Sequence, residues 1–254
     1  MKNTIFIVNI EEEKKQGRNE PYKLGVSSWK TWADKNDCEV FVLTERVYPE
    51  DYMNANWHKS LALQLLDSNN IKYDQVLIVD ADTIVHPDCP NFFKLSERKF
   101  CAVMNDGCYE WVSRSIENYG DYIFPDIPKI KTWEYFNSGF IIVNKTHRKF
   151  FDSVIQYYTE NVDKFIHAKS FYVGNDQTPL NYFTRKFNID VKLLPGCYNL
   201  QDMPRKNLFT LGYKDWSTKP LFINSGWVYH FNAIPANMGD TKYWMETTYK
   251  ELYG

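Results

Sequence analysis

The sequence predicts an α/β protein, and three observations point to that class. Short β-branched runs alternate with longer stretches of helical apolar spacing in the N-terminal third of the chain, in the order β-α-β-α-β. The apolar run at 76–79 shows no polar alternation, which is typical of a strand buried on both faces of a parallel sheet. The 254 residues suffice for a full core and contain no repeat or linker, so we expect one domain spanning 1–254.

The first elements follow from β-branched runs and helical spacing. We predict strands at 4–10, 39–44 and 76–79, and helices at 22–33 and 56–66. Right-handed crossovers between these strands would give a parallel sheet, close to a nucleotide-binding half. The charged stretch 11–20 is predicted to be a solvated loop and not a binding patch.

The regular alternation of predicted strands and helices ends after Pro87. The stretch 111–132 contains Pro125 and Pro128, and is predicted to be irregular and to cross the active face. The remaining predicted elements are helices at 91–95, 147–162, 178–187 and 241–252, and strands at Phe100–Met104, 140–143, Val191–Leu194 and 221–223.

Composition excludes several function classes. A formal charge of −2 gives no electrostatic basis for binding nucleic acid or an anionic membrane. No apolar run approaches the ~20 residues that span a bilayer, and the N-terminus enters a strand without a signal peptide. Five cysteines without a Cys-x-x-Cys pair suggest free thiols and a cytoplasmic location. The aromatic content of 17% suits a sugar-binding cleft and, equally, an ordinary core.

Two carboxylates follow the most apolar strand. Asp80 and Asp82 come directly after the run 76–79, where strand gives way to loop. Ligands of open α/β sheets bind outside the carboxyl ends of the strands, and oxygen ligands of this kind suit Mg²⁺ or Mn²⁺. Aspartates that only cap the backbone of a turn are the alternative.

Three further clusters carry polar side chains beside predicted elements. Asn137 and Ser138 lie at the entry of a strand, where they can contact a ligand or form an ordinary strand entry. Asp176 and Gln177 stand at a helix start, where they can bind sugar hydroxyls or Asp176 can serve as the N-cap. His230 is either a core histidine or the imidazole that completes a two-carboxylate metal site.

Taken in order, these segments resemble a known family. The sequence is similar to nucleotide-sugar-dependent glycosyltransferases of the GT-A fold from residue 5 to about 231, especially to the glycogenin-like and bacterial galactosyltransferase group (glycosyltransferase family 8-like). The similar segments are YDQVLIVDADTIV at 73–85, YFNSGFIIVN at 135–144, NDQTPLN at 175–181 and YHF at 229–231. The resemblance implies a Rossmann-like domain with a mixed central sheet flanked by helices, a nucleotide-binding half at about 1–105 and a sugar and acceptor half at about 106–254.

The resemblance also implies roles for single residues. Asp80, Asp82 and His230 would hold a divalent cation, Mn²⁺ or Mg²⁺, with Asp80 also near the nucleotide ribose. The other residues would contact a nucleotide-diphosphate sugar, with UDP-sugar favoured and GDP-sugar as the alternative. They are Asn9 near the base, Lys59 facing the donor, Asn137, Ser138, Asp176 and Gln177 in the sugar pocket, and Asp106 on the sugar or acceptor side. From its pattern alone, Lys59 is equally well a solvated helix lysine.

The activity implied is a hexosyltransferase-like transfer to a hydroxyl of a glycan or protein-linked glycan. A cation bridging both phosphates stabilises the leaving group, and carboxylates favour the positive charge that grows at the anomeric centre. The resemblance implies retention, and we expect same-face attack by the acceptor because Gln177 is a weak nucleophile. The sequence departs from the family near His230: the late Lys-Pro-Trp segment is missing, and Lys219 and Pro220 precede the histidine.

Other functions compete with this one. Haloacid-dehalogenase-like phosphatases carry Asp-x-Asp on the first strand and need a late acidic cluster, while nucleotidyltransferases need a Gly-rich basic loop near the N-terminus. This sequence lacks both patterns. An inverting transferase of the same fold and a catalytically weak nucleotide-sugar-binding protein stay open as alternatives, although the intact set of Asp80, Asp82 and His230 argues for catalysis.

Overall fold

The computed structural model describes residues 2–12, 17–171, 174–209, 220–235 and 237–254. Its strands are β1 (Lys2–Val8), β2 (Cys38–Leu43), β3 (Tyr73–Asp80), β4 (Thr83–Val85), β5 (Phe100–Met104), β6 (Phe136–Asn144), β7 (Val191–Leu194) and β8 (Val228–His230). Six of them form the central sheet in the order β2-β1-β3-β6-β5-β7. Only β6 runs antiparallel to its neighbours in this sheet, so the mixed sheet implied by the resemblance is confirmed.

The central sheet is buried on both faces because apolar side chains alternate along its strands. In β1, Ile5 and Ile7 pack into one apolar layer, whereas Phe6 packs into the layer on the opposite face. The same alternation holds in β3. The prediction of a strand at 76–79 buried on both faces is therefore confirmed.

Helices cover both faces of the central sheet. They are α1 (Tyr22–Lys35), α2 (Ala62–Ser68), α3 (Tyr109–Tyr122), α4 (Arg148–Glu160), α5 (Val162–Ala168), α6 (Gln177–Lys186) and α7 (Thr241–Tyr253). Helix α1 packs Trp29 and Trp32 into the layer of Ile5, while α2 to α6 contribute to the opposite layer. Within the described ranges, none of the helices has the length and apolarity to cross a membrane. The five cysteines are free thiols, as predicted.

Short 3₁₀ turns complete the described elements. They lie at Ala55–Leu61, Phe92–Leu95, Thr132–Glu134, Lys145–His147, Lys169–Phe171, Gly196–Tyr198 and Leu221–Ser225. The helix predicted at 56–66 is thus a 3₁₀ turn that continues into α2. The helix predicted at 147–162 is α4, which ends at Glu160, and Asn161 separates it from α5.

The prediction of an irregular segment at 111–132 is wrong for its first half, which forms α3. Val112, Ile116 and Tyr119 are buried and recur at intervals of four and three residues, the spacing of one helix face. Pro125 and Pro128 follow the end of the helix and therefore do not interrupt it.

The strand predicted at 221–223 is also wrong, because this stretch forms a 3₁₀ turn. Phe222 and Ile223 both pack into a third apolar cluster, together with residues of β4, β8 and α7. Neighbouring residues of a strand point to opposite faces, so a turn can place both side chains in the same cluster where a strand cannot. The Tyr229 hydroxyl secures the turn by donating to the carbonyl of Ile223 at 2.8 Å.

Candidate active site

Polar side chains from several elements meet in one cleft, which has a volume of about 330 Å³. It opens at the carboxyl ends of β1 and β3, where ligands of open α/β sheets bind. All the sequence-predicted site residues except Asp106 line it: Asn9, Lys59, Asp80, Asp82, Asn137, Ser138, Asp176, Gln177 and His230. The fold therefore brings together residues that lie far apart in the sequence.

Three potential cation ligands converge at the end of β3. The Nε2 atom of His230 lies 3.2 Å from Asp82 Oδ1 and 3.7 Å from Asp80 Oδ2. All three ligand atoms lie within 4.8 Å of one another. Neighbouring ligands of an octahedral ion with bonds of about 2.1 Å are separated by about 3.0 Å, so the spacing of the three atoms is close to that of ligands sharing one cation.

The pairing of β4 with β8, which the sequence analysis did not predict, brings the histidine to the carboxylates. In this antiparallel pair Thr83 stands opposite His230, and the Phe231 backbone N–H donates to the carbonyl of Asp82 at 2.9 Å. Thr83 also ties the turn to its surroundings: its hydroxyl donates to the Asp80 carbonyl and accepts from Trp29 Nε1. The turn after β3 is thus held on two sides.

Gly139 in β6 allows the ligands to approach the sheet. A Cβ atom at this position would overlap with the His230 ring, and would lie 2.8 Å from Asn137 Oδ1 and 2.9 Å from Asp80 Oδ2. Such distances are shorter than real Cβ contacts, and none of these groups is the flexible end of a long side chain. The close approach of Asp80 and His230 therefore requires glycine here.

Lys59 is a buried cation shared by two carboxylates. Its Nζ lies 2.6 Å from Asp80 Oδ1 and 3.1 Å from Asp176 Oδ2, and only 3% of the residue is exposed. Burial acts to lower the pKa of Lys59, but the carboxylates of Asp176 and Asp80 outweigh it and raise the pKa above its ordinary value. The alternative of a solvated helix lysine is therefore wrong, and the residue stays charged within the cleft.

Asp176 occupies the N-cap position of α6 but does not act as a cap. No hydrogen bond joins its side chain to the backbone of the helix. Its Oδ2 atom instead accepts from the Ser138 hydroxyl at 2.9 Å and pairs with Lys59. The carboxylate is directed into the cleft, as a ligand-binding role requires.

The electrostatics of the three potential ligands are linked. Burial raises the pKa of Asp80 despite the opposing effects of Lys59 and His230. Burial also acts to raise the pKa of Asp82, but the nearby His230 outweighs it and the net shift is downward. For His230, burial acts to lower the pKa, and the carboxylate of Asp82 reverses this and raises it. A proton and a divalent cation would therefore compete for the same nitrogen.

A chain of buried amides leads away from His230. Its Nδ1 lies 3.1 Å from Asn199 Oδ1, and Asn199 Nδ2 donates to Asn137 Oδ1 at 2.9 Å. Asn137 Nδ2 and Gln177 Nε2 both donate to Asn105 Oδ1, at 3.3 and 3.2 Å. We call Asn199, Asn137, Asn105 and Gln177 the amide chain. It joins the potential cation site to the predicted sugar pocket, and the sequence analysis identified neither Asn105 nor Asn199.

Two predicted residues have contrasting positions. Asn9 follows β1 and lines the cleft, and its buried Oδ1 atom has no hydrogen-bond partner among the described residues. Asp106 does not contribute to the cleft lining; it pairs with Lys206 at 2.6 Å and accepts from Gln201 at 2.9 Å. The structure therefore does not bring Asp106 together with the other predicted residues.

Other lining residues were missed by the sequence analysis. Arg18 lines the cleft although the stretch 11–20 was predicted to be a solvated loop; residues 13–16 of that stretch lie outside the described residues, as does Lys219. Trp111 also lines the cleft, with its ring against Gly174. Helical periodicity would have placed Trp111 near the start of a helix, but no local signal distinguishes Arg18 from a solvent-exposed arginine.

Solved structures with a similar fold include glycosyltransferases. A glycosyltransferase involved in the glycosylation of the major capsid of PBCV-1 has a TM-score of 0.60 at 11% identity, over 97% of this chain and 99% of that chain. The apo form of the glycosyltransferase GlyE of Streptococcus pneumoniae TIGR4 has a TM-score of 0.52 at 14% identity, over 99% of this chain and 62% of that chain. The bifunctional glycosyltransferase WbbM has a TM-score of 0.53 at 14% identity, over 100% of this chain and 52% of that chain.

At these identities the likeness concerns the fold. The chain thus has an α/β glycosyltransferase fold, and it spans about half of WbbM and about three fifths of GlyE. No protein-family model matches the sequence, and no curated protein matches it significantly.

Proposed function

We propose that the protein is a cation-dependent, hexosyltransferase-like glycosyltransferase. It would move a sugar from a nucleotide-diphosphate sugar, with UDP-sugar favoured and GDP-sugar as the alternative, to a hydroxyl of a glycan acceptor. The observation that carries the proposal is the convergence of Asp80, Asp82 and His230 at the carboxyl end of β3, beside a cleft lined by further polar groups. This combination suits a substrate that carries both phosphate and sugar.

Asp80, Asp82 and His230 would hold the cation. Two carboxylates and one imidazole, without a thiolate, suit Mn²⁺ or Mg²⁺. When bound, the cation would act as a Lewis acid on the diphosphate and neutralise the charge that develops on the leaving group. Gly139 supports this assignment because any side chain there would displace Asp80 and His230.

Lys59, Asp176 and Asn9 would contact the donor. Lys59 and Asp176 pair at 3.1 Å in a site that is largely withdrawn from water, where charges act more strongly. Asp176 would favour the positive charge that grows at the anomeric centre, while Lys59 would attract donor oxygens. The unpartnered Oδ1 atom of Asn9 suits an N–H group of the nucleotide base.

We also propose that the reaction retains the anomeric configuration, with same-face attack by the acceptor. The Oε1 atom of Gln177 accepts from the Ser138 backbone N–H at 3.2 Å, and its Nε2 donates to Asn105. An amide held in this way is a poor nucleophile, which argues against a covalent intermediate on Gln177. The anomeric configuration of the product tests the proposal, and an inverted product would contradict it.

The decisive experiment screens nucleotide-sugars for Mn²⁺-dependent release of the nucleoside diphosphate. We expect release from one donor, and a loss on the order of 100-fold or more in Asp82→Ala because the site loses a cation ligand. Asp74→Ala is the matched control: Asp74 lies in the same strand at its opposite end, where it pairs with Arg98, and its replacement should leave the rate unchanged.

The outcomes separate the alternatives. Release that does not depend on Mn²⁺, or that survives Asp82→Ala, would contradict the cation-dependent transferase. Donor binding without release from any nucleotide-sugar would instead favour a catalytically weak nucleotide-sugar-binding protein.

A further inference from the structure

The imidazole of His230 can present a lone pair to a cation from Nε2 only if its proton resides on Nδ1. Both neutral forms of histidine exist in water, so a site that uses Nε2 must select one of them. The hydrogen bonds of the amide chain select the Nδ1–H form. The selection starts from two backbone N–H groups, because a backbone N–H can only donate and so fixes the orientation of the amide that it contacts.

The first such group is the backbone N–H of Gly139. It donates to Asn137 Oδ1 at 2.8 Å, and a backbone N–H can only donate. The oxygen of the Asn137 side chain must therefore face Gly139, and its Nδ2 atom faces Asn105. The backbone N–H of Ser138 orients Gln177 in the same way, by donating to its Oε1 atom at 3.2 Å.

Asn199 links the oriented Asn137 side chain to the histidine. The Asn199 side chain lies 2.9 Å from Asn137 Oδ1, and only its Nδ2 atom can donate to that oxygen. Asn199 Oδ1 consequently faces His230 Nδ1 at 3.1 Å, and because an amide oxygen only accepts, the proton must be on Nδ1. When the ring is neutral, Nε2 then directs its lone pair towards Asp82 Oδ1 and Asp80 Oδ2.

Burial makes this selection strict. Asn199 is fully buried, and Asn137 and Asn105 are 4% and 3% exposed, so water does not offer alternative partners. Asn105 Nδ2 has no hydrogen-bond partner among the described residues, which shows that the orientation is kept even where it leaves a donor unsatisfied. With a lone pair and two carboxylates facing one point, the three groups repel one another unless a proton or a metal cation lies between them.

We propose that Asn199 is a positioning residue that holds His230 in the Nδ1–H tautomer and so directs Nε2 to the cation. The proposal rests on the cation site of the proposed function. Asn137 and Gln177, each oriented by a backbone N–H, both donate to Asn105 Oδ1, so the cation ligand and the predicted sugar pocket share one set of oriented amides.

The tautomer itself is the first measurement. Nitrogen-15 NMR of the metal-free full chain with labelled histidine distinguishes the two neutral forms, once the pH is high enough for the imidazole to be neutral. The His230 signals are assigned from their loss in His230→Gln. We expect the Nδ1–H form in the wild type, and observation of the Nε2–H form would overturn the proposal.

Two substitutions then separate orientation from stability. Asn199→Ala removes the acceptor, and we expect both tautomers and a Mn²⁺ affinity about 10- to 100-fold weaker by titration calorimetry. Asn199→Asp still accepts from Nδ1–H but can no longer donate to Asn137, so the melting temperature should fall while the Mn²⁺ affinity stays within a few-fold of the wild type.

Asn144→Ala is the matched control. Asn144 is a buried amide at the opposite end of β6, where it caps the turn Lys145–His147. Its replacement should lower the melting temperature and leave the Mn²⁺ affinity unchanged. Equal affinity in Asn199→Ala and the wild type would overturn the proposal. If Asn199→Ala does not fold, the tautomer of the wild type and the Mn²⁺ affinity of Asn199→Asp test the proposal instead.

A failure of the proposed function is distinguishable from a failure of this inference. If the wild type does not bind Mn²⁺, the cation site of the proposed function is wrong, and the tautomer measured in the metal-free protein still decides whether Asn199 positions His230.

Discussion

Lys59 shows how single residues in the cleft depend on one another. Its ammonium group is almost fully buried, and two carboxylates, Asp80 and Asp176, lie within 3.1 Å of it. Removing one partner of a buried ion pair typically costs 3–5 kcal/mol because it leaves an uncompensated charge. The ion pair with Lys59 therefore explains why the Asp176 side chain does not form the N-cap hydrogen bond that its position in the sequence suggests. The local capping pattern cannot reveal this partner, because Lys59 is distant in the sequence.

The raised pKa of His230 predicts how cation binding depends on pH. The protonated imidazole contributes stability that is fully present below its ordinary pKa of about 6.5 and is lost as the pH rises through the higher pKa of the folded protein. A cation must displace this proton, so we expect the apparent Mn²⁺ affinity to rise with pH, by at most about tenfold per pH unit, until the pH exceeds the raised pKa of His230 in the folded protein. Titration calorimetry across this range measures the effect.

The matching control is the metal-free protein. Its melting temperature, taken relative to that of His230→Gln, should fall over the same pH range. A Mn²⁺ affinity that does not change between pH 6 and 8, values chosen to bracket the ordinary histidine pKa, would contradict the prediction.

Among the elements, the pair of β4 and β8 decides the geometry of the candidate site. Because side chains alternate along a strand, a shift of this pair by one residue would turn His230 away from Asp82. Both strands are only three residues long, too short for a recognisable alternating pattern, so the sequence analysis did not predict them. Helix α3 was not predicted for a different reason. Pro125 and Pro128 lie just beyond its end, and they made the whole stretch 111–132 look irregular in the sequence.

The packing of α1 on the turn after β3 leads to a prediction. A Cβ atom at Gly25 would overlap with the carbonyl oxygens of Ala81 and Thr83, so Gly25→Ala should push the helix away from the turn that carries Asp82. We expect a loss of about 1–3 kcal/mol in the free energy of unfolding, and a weaker Mn²⁺ affinity. Chemical denaturation and calorimetry measure the two effects.

Lys30→Ala is the control, because Lys30 is exposed on the same helix and its replacement should change stability by less than about 0.5 kcal/mol. Alanine has the better helix propensity, by about 1 kcal/mol. A Gly25→Ala variant that is more stable than the wild type would show that propensity outweighs the overlap, and would contradict the prediction.

For the whole molecule, ligand binding should appear as increased thermal stability. A ligand at about 100 times its dissociation constant stabilises the folded state by about 2.7 kcal/mol. For a chain of this size, that corresponds to a rise in melting temperature of about 5–10 °C. We expect UDP with Mn²⁺ to produce this shift in the wild type and not in Asp82→Ala, as measured by differential scanning calorimetry. The same shift in the presence of a chelator would contradict a cation-dependent site.

The sequence by itself determined the fold class and predicted nine of the residues that line the cleft, because strand and helix periodicity and the polar residues at strand ends are local features. Asp80 and Asp82 are examples, since a buried strand must deliver them to the sheet edge. Only the tertiary structure decided that Lys59 lies between two carboxylates, that Asn199 orients His230 and that Asp106 lies outside the cleft. These contacts join residues from distant parts of the chain, and their burial depends on how sheet and helices pack together.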